Sequence, residues 1–168
     1  MIENKKLNFK ILDKVVNFLS YRLRSSKEIS DRLEIYLSKE KITEEEKAAI
    51  KSWVIAELQT LGMINDYNFA STFVEEKSHS RKPLSRFAVQ NYLYRRGISK
   101  EIIKEVLIDY TKTYELASAM VIAEKKLGSM KKGLDKMTVK RKLISYLIGK
   151  GFSPESVYTV VDTKFKVK

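Results

Sequence analysis

The chain has 168 residues and carries 33 Lys and Arg against 21 Asp and Glu, a formal net charge of +12 at pH 7. It has no cysteine and a single histidine, His79, which excludes a disulfide framework, a thiolate metal site and a cysteine nucleophile. Its longest wholly apolar run, residues 119–123, is far too short to span a bilayer, and the first residues set Glu3 and Asp13 around broken apolar positions with no signal-peptide core. A cytoplasmic location is expected.

In chain order, VVNFLSYRL (15–23) predicts a first helix, and Ser25 with Glu28 reads as a capping box that opens a second. Leu33 and Leu37 form an i, i+4 apolar pair on that second helix. The stretch IYLSKEKIT (35–43) then leads through Lys41 and Ile42 to Thr43, which with Glu46 makes another capping box. Ile50, Val54 and Leu58 are the stripe of a third helix, with Trp53 beside them as a packing residue. The acid run Glu44-Glu45-Glu46 is the first turn of this helix, where carboxylates complement the dipole, rather than a metal site.

The pattern then recurs. NYLYRRGIS (91–99) and SYLIGKGFS (145–153) repeat a Tyr-Leu pair, a short turn, an apolar residue and a hydroxyl residue, with 56 residues from Tyr36 to Tyr92 and 54 from Tyr92 to Tyr146. Val89 and Leu93, then Leu143 and Leu147, repeat the apolar pair, while Ile98 and Phe152 take the place of Ile42. Gly97 and Gly151 are predicted to be left-handed residues ending their helices. Lys41 stands there in the first copy, so that turn is either strained or differently shaped. Ser99 with Glu101, and Ser153 with Pro154 and Glu155, open the next helices. Their stripes are Ile103, Val106 and Leu107, then Val157, Val160 and Val161. Upstream, FASTFV (69–74) matches LASAMV (116–121) at an offset of 47, so the third copy holds seven extra residues between its first two helices, expected around GSMKKGLD (128–135).

Each copy is therefore helix, loop, helix, tight turn, helix, with no strand. The expectation is an all-α tandem array of three three-helix repeats, elongated and curved, with repeats at residues 1–65, 66–113 and 114–168.

Charge is segregated along this array. Residues 1–66 have a net charge of +1, residues 67–115 +3 and residues 116–168 +8. Residues 77–100 hold seven bases and no carboxylate; residues 125–150 hold nine bases and only Asp135. A one-signed field of this kind favours a polyanion or an acidic protein surface. Catalytic chemistry is not assembled. The glycine spacing of GSMKKG (128–133) suggests a phosphate loop, but Leu134 and Asp135 stand where Lys and Ser/Thr are needed, and no strand precedes it. His79, in SHSRKP, is expected to be a surface residue, and one histidine without cysteine leaves no metal cluster. The chain is expected to be non-enzymatic, without cofactor or metal. Tyr92 and Tyr146 are core or half-core positions of the repeat; stacking on single-stranded bases is the competing role for the tyrosines beside Arg95 and Arg96.

Four stretches, YRLRSSKEI (21–29), LQTLGMINDYNFASTFV (58–74), YLYRRGISKEII (92–103) and LIGKGFSPESV (147–157), in this order and at these intervals, resemble the RecX family, regulators of the bacterial RecA recombinase. The resemblance runs from about residue 12 to residue 162. Lys41 departs from the family's small turn residue. Some relatives carry a β-rich segment ahead of the first repeat and nothing like it precedes Lys10, so this is either a short member or one whose N-terminal segment has been trimmed.

The resemblance implies a non-enzymatic modulator, most often an inhibitor, that lies in the groove of the RecA–DNA filament. It would limit filament growth, ATP hydrolysis and strand exchange in recombinational DNA repair and the SOS response. The implied partners are the RecA filament and single- or double-stranded DNA without sequence preference, and the chain is expected to be monomeric. The charge pattern gives the contact candidates: Arg81, Lys82, Arg86, Arg95 and Arg96 in the second repeat, and Lys125, Lys126, Lys131, Lys132, Lys136, Lys140, Arg141 and Lys142 in the third. Arg95 and Arg96 are expected to be surface residues of little weight in stability. A free-standing DNA-binding protein with helix-turn-helix-like repeats is the alternative, although acids rather than base-reading side chains open the third helices. A scaffold for acidic proteins is a third class.

Overall fold

Helix boundaries follow from capping chemistry. The computed structural model describes residues 2–78, 80–108 and 110–166; the expectation for His79 lies outside the described residues. Nine α-helices occupy them: α1 Ile2–Leu19, α2 Ser26–Leu37, α3 Glu44–Thr60, α4 Asp66–Ser78, α5 Arg86–Arg95, α6 Lys100–Val106, α7 Lys112–Gly128, α8 Lys136–Gly149 and α9 Pro154–Phe165. No strand is present among the described residues. Ser25 and Thr43 both form complete capping boxes, with Glu28 and Glu46 returning a hydrogen bond to the cap backbone. Ser153 caps α9 ahead of Pro154, Thr111 caps α7, and Asp135 caps α8 by accepting from the Thr138 N–H.

The helices fall into two compact units, the first made of the described residues up to Phe69 together with Arg96–Ser99, the second of Ala70–Arg95 with the described residues from Lys100 onward. In the first unit α1, α2 and α3 close on Ile11, Val15, Ile29, Leu33, Leu37, Val54 and Leu58. Trp53 packs edge-on against Phe9, with ring centroids 5.4 Å apart. The turn after α2 resolves the question raised by Lys41. Among the described residues no residue other than glycine has a positive φ, so this turn is differently shaped, not strained. Ser38 stays in the right-handed region, and the Glu40 N–H donates to the Leu37 carbonyl.

In the second unit α7, α8 and α9 enclose Ala119, Ala123, Leu143, Leu147, Phe152, Val157, Val160 and Val161. The buried Glu115 carboxylate accepts the Ser153 N–H at 3.0 Å, fixing the start of α9 on α7. The sequence places the third copy's extra residues in its loop, but the structure places them in helix. The chain between α7 and α8 is no longer than that between α4 and α5; α7 has 17 residues against 13 for α4, and α8 has 14 against 10 for α5. Glycine at 128 is tolerated because it is the last residue of α7, where it interrupts nothing.

One device is used twice. Ser25, the N-cap of α2, is fully buried and donates its hydroxyl to the Arg96 carbonyl at 2.7 Å, while accepting from the Glu28 N–H. Ser85, directly ahead of α5, donates to the Lys150 carbonyl at 2.8 Å and accepts from the Ala88 N–H at 3.1 Å. Each carbonyl belongs to the residue before a left-handed glycine, Gly97 at φ 77° and Gly151 at φ 81°. A Cβ on Gly97 would lie 2.7 Å from the Lys27 Cβ, and one on Gly151 2.9 Å from the Phe87 ring and 3.0 Å from the Ser85 hydroxyl. Glycine is required here for its backbone and for the close approach.

Leu93 and Leu147 are both fully buried. Replacing either by alanine should cost about 2–5 kcal/mol in chemical denaturation. Gly151→Ala should cost at least about 1–2 kcal/mol from the left-handed backbone alone, with the steric contact adding to it; a value near zero would show that the turn can be rebuilt.

Candidate nucleic-acid interface

Three adjoining hollows in the second unit gather much of the basic sequence. The first is lined by Lys126, Ser129, Met130, Lys131, Leu134, Arg141, Lys142, Ser145 and Tyr146. The next shares Tyr146 and adds Lys82, Pro83, Leu84, Ser85, Ala88, Ile122, Lys125, Gly149, Lys150 and Phe152. The third shares Leu84, Ala88, Gly149 and Lys150, and adds Phe87, Asn91, Tyr92, Arg95, Ile148 and Gly151. No carboxylate lines any of them. The α7 C-terminus and the loop that follows supply Lys126 and Lys131, one face of α8 supplies Arg141, Lys142 and Tyr146, and the α4–α5 linker supplies Lys82.

Of the residues predicted from sequence, Lys82, Arg95, Lys125, Lys126, Lys131, Arg141 and Lys142 therefore line these adjoining hollows, together termed the groove. Lys126 sits over the Tyr146 ring with its ammonium 4.8 Å from the centroid, and both residues line the first hollow. Lys125 donates to the Arg81 carbonyl, tying α7 to the linker; the Arg81 side chain itself is exposed and lines none of the hollows. Lys131 and Lys132 are exposed loop residues, as expected. Lys132 and Lys136 are exposed outside the groove. Lys140 is half-buried, 3.8 Å from Asp162 on α9.

Two candidates have a different use. Arg86 donates to the Leu107 carbonyl at 2.6 Å and the Tyr110 carbonyl at 2.7 Å, while the Tyr110 hydroxyl donates to the Leu84 carbonyl. Arg86 thus satisfies backbone groups just beyond α6 and closes the α4–α5 linker onto the α6–α7 linker. Arg96, expected to be a surface residue of little weight in stability, is half-buried and paired with Glu28 at 2.6 Å. Glu28 also accepts from Arg22 at 2.6 Å and from the Ser25 N–H. Burial pushes its carboxyl up, but the Arg22 and Ser25 hydrogen bonds and the charges of Arg22 and Arg96 outweigh this and hold it below the usual carboxylate range. The sequence shows Arg95 and Arg96 as adjacent equals. Arg95 is the last residue of α5 and Arg96 begins the turn, and only the fold assigns one to the groove and the other to Glu28.

Sequence reasoning missed Lys150; Tyr146, read as a core or half-core position, is partly buried against the core and also lines two of the hollows. Lys150 lies 5.4 Å from the Tyr146 ring centroid, so two lysines share this ring, while Tyr92 stacks on Phe73 with centroids 4.0 Å apart. Tyr36 and Tyr146 of the repeat both carry a lysine over the ring, and Tyr146 carries two. The signal available was Lys150 itself, inside the basic run yet read only as a turn residue. Among the described residues no group of three His, Cys, Asp or Glu could hold a metal ion, and no helix is long and apolar enough to cross a membrane.

The fold and groove define an all-helical protein of three three-helix repeats with a cationic surface groove. Comparison with known proteins specifies the family. Residues 65–107 match the model of the second three-helix domain of RecX, and residues 113–161 that of the third. The chain is 32% identical over 157 residues to the regulatory protein RecX of Chlorobium phaeobacteroides, covering 94% of this chain and 95% of that one. It is 35% identical over 139 residues to the regulatory protein RecX of Finegoldia magna, and 34% over 144 residues to that of Listeria monocytogenes, covering 82% and 86% of this chain. It spans 63% and 50% of the lengths of those two relatives. The crystal structure of RecX from Lactobacillus salivarius superposes with a TM-score of 0.76 at 26% identity, covering 97% of both chains. The chain belongs to the RecX family.

The Glu28 network predicts an acid-dependent contribution to stability. Its carboxyl is held below the ordinary value of 4.5 in the folded chain. The contribution is therefore fully present above about pH 4.5 and is lost as pH falls through the lowered folded value. Glu28→Gln should lower the Tm at pH 7, and the gap to the unaltered chain should close progressively below about pH 4. A gap independent of pH would assign the loss to packing instead.

Proposed function

We propose that this chain is a non-catalytic regulator of the RecA recombinase, acting on the RecA–DNA filament and limiting its growth, ATP hydrolysis and strand exchange in recombinational DNA repair and the SOS response. The observation that carries this reading is the carboxylate-free groove lined by Lys126, Lys131, Arg141 and Lys142, in a chain of the RecX family. Lysine and arginine side chains spaced along a groove, with serine hydroxyls between them, suit successive phosphates of a nucleic-acid backbone. Such contacts position a protein on a filament without reading sequence, in keeping with third helices that open on Lys100-Glu101 and Pro154-Glu155. The work expected of the groove is electrostatic anchoring in the cytoplasm, with no cofactor. Lys132, Lys136 and Arg81 would reinforce the field from outside it.

The test compares Lys131→Glu/Lys142→Glu with a control, Lys5→Glu/Lys6→Glu, of equal charge change on exposed residues of α1. Binding to a labelled single-stranded oligonucleotide is measured across a salt series, and inhibition of RecA-catalysed ATP hydrolysis is measured in parallel. The groove variant should lose both activities, and its slope of log affinity against log salt should fall by about 0.7 for each phosphate contact removed. The control should stay close to the unaltered chain. Equal losses would mean that net charge alone drives binding. Full DNA binding by the unaltered chain with no effect on RecA would favour a free-standing DNA-binding protein.

A further inference from the structure

The first unit has a net charge close to zero in its sequence, yet it holds a cationic cluster of its own. On α1, Lys14 and Phe18 are i, i+4 neighbours; on α2, Arg32 and Tyr36 are i, i+4 neighbours, and the two pairs meet. The Arg32 guanidinium lies 4.5 Å from the Phe18 ring centroid and 5.4 Å from that of Tyr36. Arg24, on the α1–α2 connection, lies 3.4 Å from the same Phe18 ring, and the Lys14 ammonium 5.7 Å from Tyr36. Two guanidiniums are thus stacked on one phenyl ring.

Their charges are not neutralised by the fold. Lys14 shares Glu40 with Lys10, and Lys27 pairs with Asp31. Glu28, whose field reaches Arg24, has its oxygens taken by Arg22, Arg96 and the Ser25 N–H. Among the described residues neither Arg24 nor Arg32 has a carboxylate at ion-pair distance. Arg24 is anchored by its Nε, which donates to the Phe18 carbonyl at 3.0 Å, and among the described residues its terminal nitrogens make no hydrogen bond. Arg32 Nε is shielded from solvent and has no hydrogen-bond partner, so stacking rather than hydrogen bonding holds this side chain in place. Burial, followed by the charge of Arg22, lowers the pKa of Arg24, and the charge of Arg32 acts in the same direction. The folded chain holds like charges together and partly desolvated, an arrangement that an oxyanion would relieve.

We propose that Arg24 and Arg32, stacked on Phe18, form a phosphate-binding clamp that takes a backbone phosphate of a nucleic acid. A planar guanidinium held over a ring keeps its N–H fork in place, which suits the tetrahedral oxygens of a phosphodiester better than a mobile ammonium does. The source of the phosphate rests on the nucleic-acid reading above; the clamp itself rests on the geometry of the first unit.

The experiment uses the full chain. With a labelled single-stranded oligonucleotide, Arg24→Gln/Arg32→Gln should weaken binding roughly tenfold and lower the salt slope by about 0.7. Arg24→Lys/Arg32→Lys, which keeps the charge and removes the fork, should remain weakened. In the unaltered chain, the arginine Nε–Hε resonances of both residues should shift on oligonucleotide titration, a readout that does not depend on any variant folding. Full affinity in the lysine variant, no loss in the glutamine variant, or unmoved resonances would each overturn the clamp. Inorganic phosphate that raises the Tm over chloride at matched ionic strength, with no response to the oligonucleotide, would overturn the nucleic-acid source. Loss in the Lys131→Glu/Lys142→Glu variant alone would sink the clamp and leave the groove standing; loss in the arginine variant alone would do the reverse.

Discussion

The architecture depends on a serine hydroxyl donated to a carbonyl that precedes a left-handed glycine. Ser25 with Arg96 and Gly97, and Ser85 with Lys150 and Gly151, are the same interlock built twice. Each serine serves two backbones at once, ending the orphaned N–H groups of one helix and meeting the exposed carbonyl of a distant turn. A buried hydroxyl in this position has no solvent to fall back on, so the turn must come to it. The missing Cβ lets it do so. The apolar cores around Leu33, Leu93 and Leu147 supply most of the burial, but they are non-directional. The interlocks set where each turn lies relative to the helix it meets.

The sequence was legible wherever a structural role is local. Capping boxes at Ser25 and Thr43, the Pro154 start and the positive φ of Gly97 and Gly151 all depend on residues within one turn of chain, and all stand as read. The same holds for the stripes built on Leu93 and Leu147. Roles that depend on distant partners were not legible. Ser85 has no glutamate three residues on, so nothing marked it as a cap, and its partner Lys150 is 65 residues away. Arg86 and Arg96 sit in an acid-free run that reads as free charge, yet one is spent on carbonyls beyond α6 and the other on Glu28. The third copy's extra residues were assigned to a glycine-containing loop because glycine disfavours helix interiors, but at the last position of α7 that cost does not arise. For the groove, the basic windows were visible in the sequence; that they border one surface with Tyr146 between them was not.

Charge segregation acquires a cause in the fold. Several of the carboxylates are used as fasteners at helix starts: Glu28 and Glu46 in capping boxes, Asp66 accepting from the Ser26 N–H, Glu115 from the Ser153 N–H, Asp135 at the start of α8. Asp135, alone among the bases of its window, is engaged by the Thr138 hydroxyl and N–H, which hold its carboxyl below the usual range. Acids fixed at helix starts complement the positive ends of helix dipoles. The bases are left to line the surface.

The interlock also has a direction. It needs a hydroxyl that can give a proton at the start of one helix and a turn without a Cβ in the copy that follows. At the start of α8, where Ser25 and Ser85 have counterparts in α2 and α5, stands Asp135, whose ionised carboxylate accepts hydrogen bonds and has no proton to donate to a carbonyl. In the turn after α2, where the later copies have left-handed glycine, stands Lys41, whose φ is not positive. The series is directional: the first copy offers the Ser25 hydroxyl to the turn of the second, and the second offers the Ser85 hydroxyl to the turn of the third.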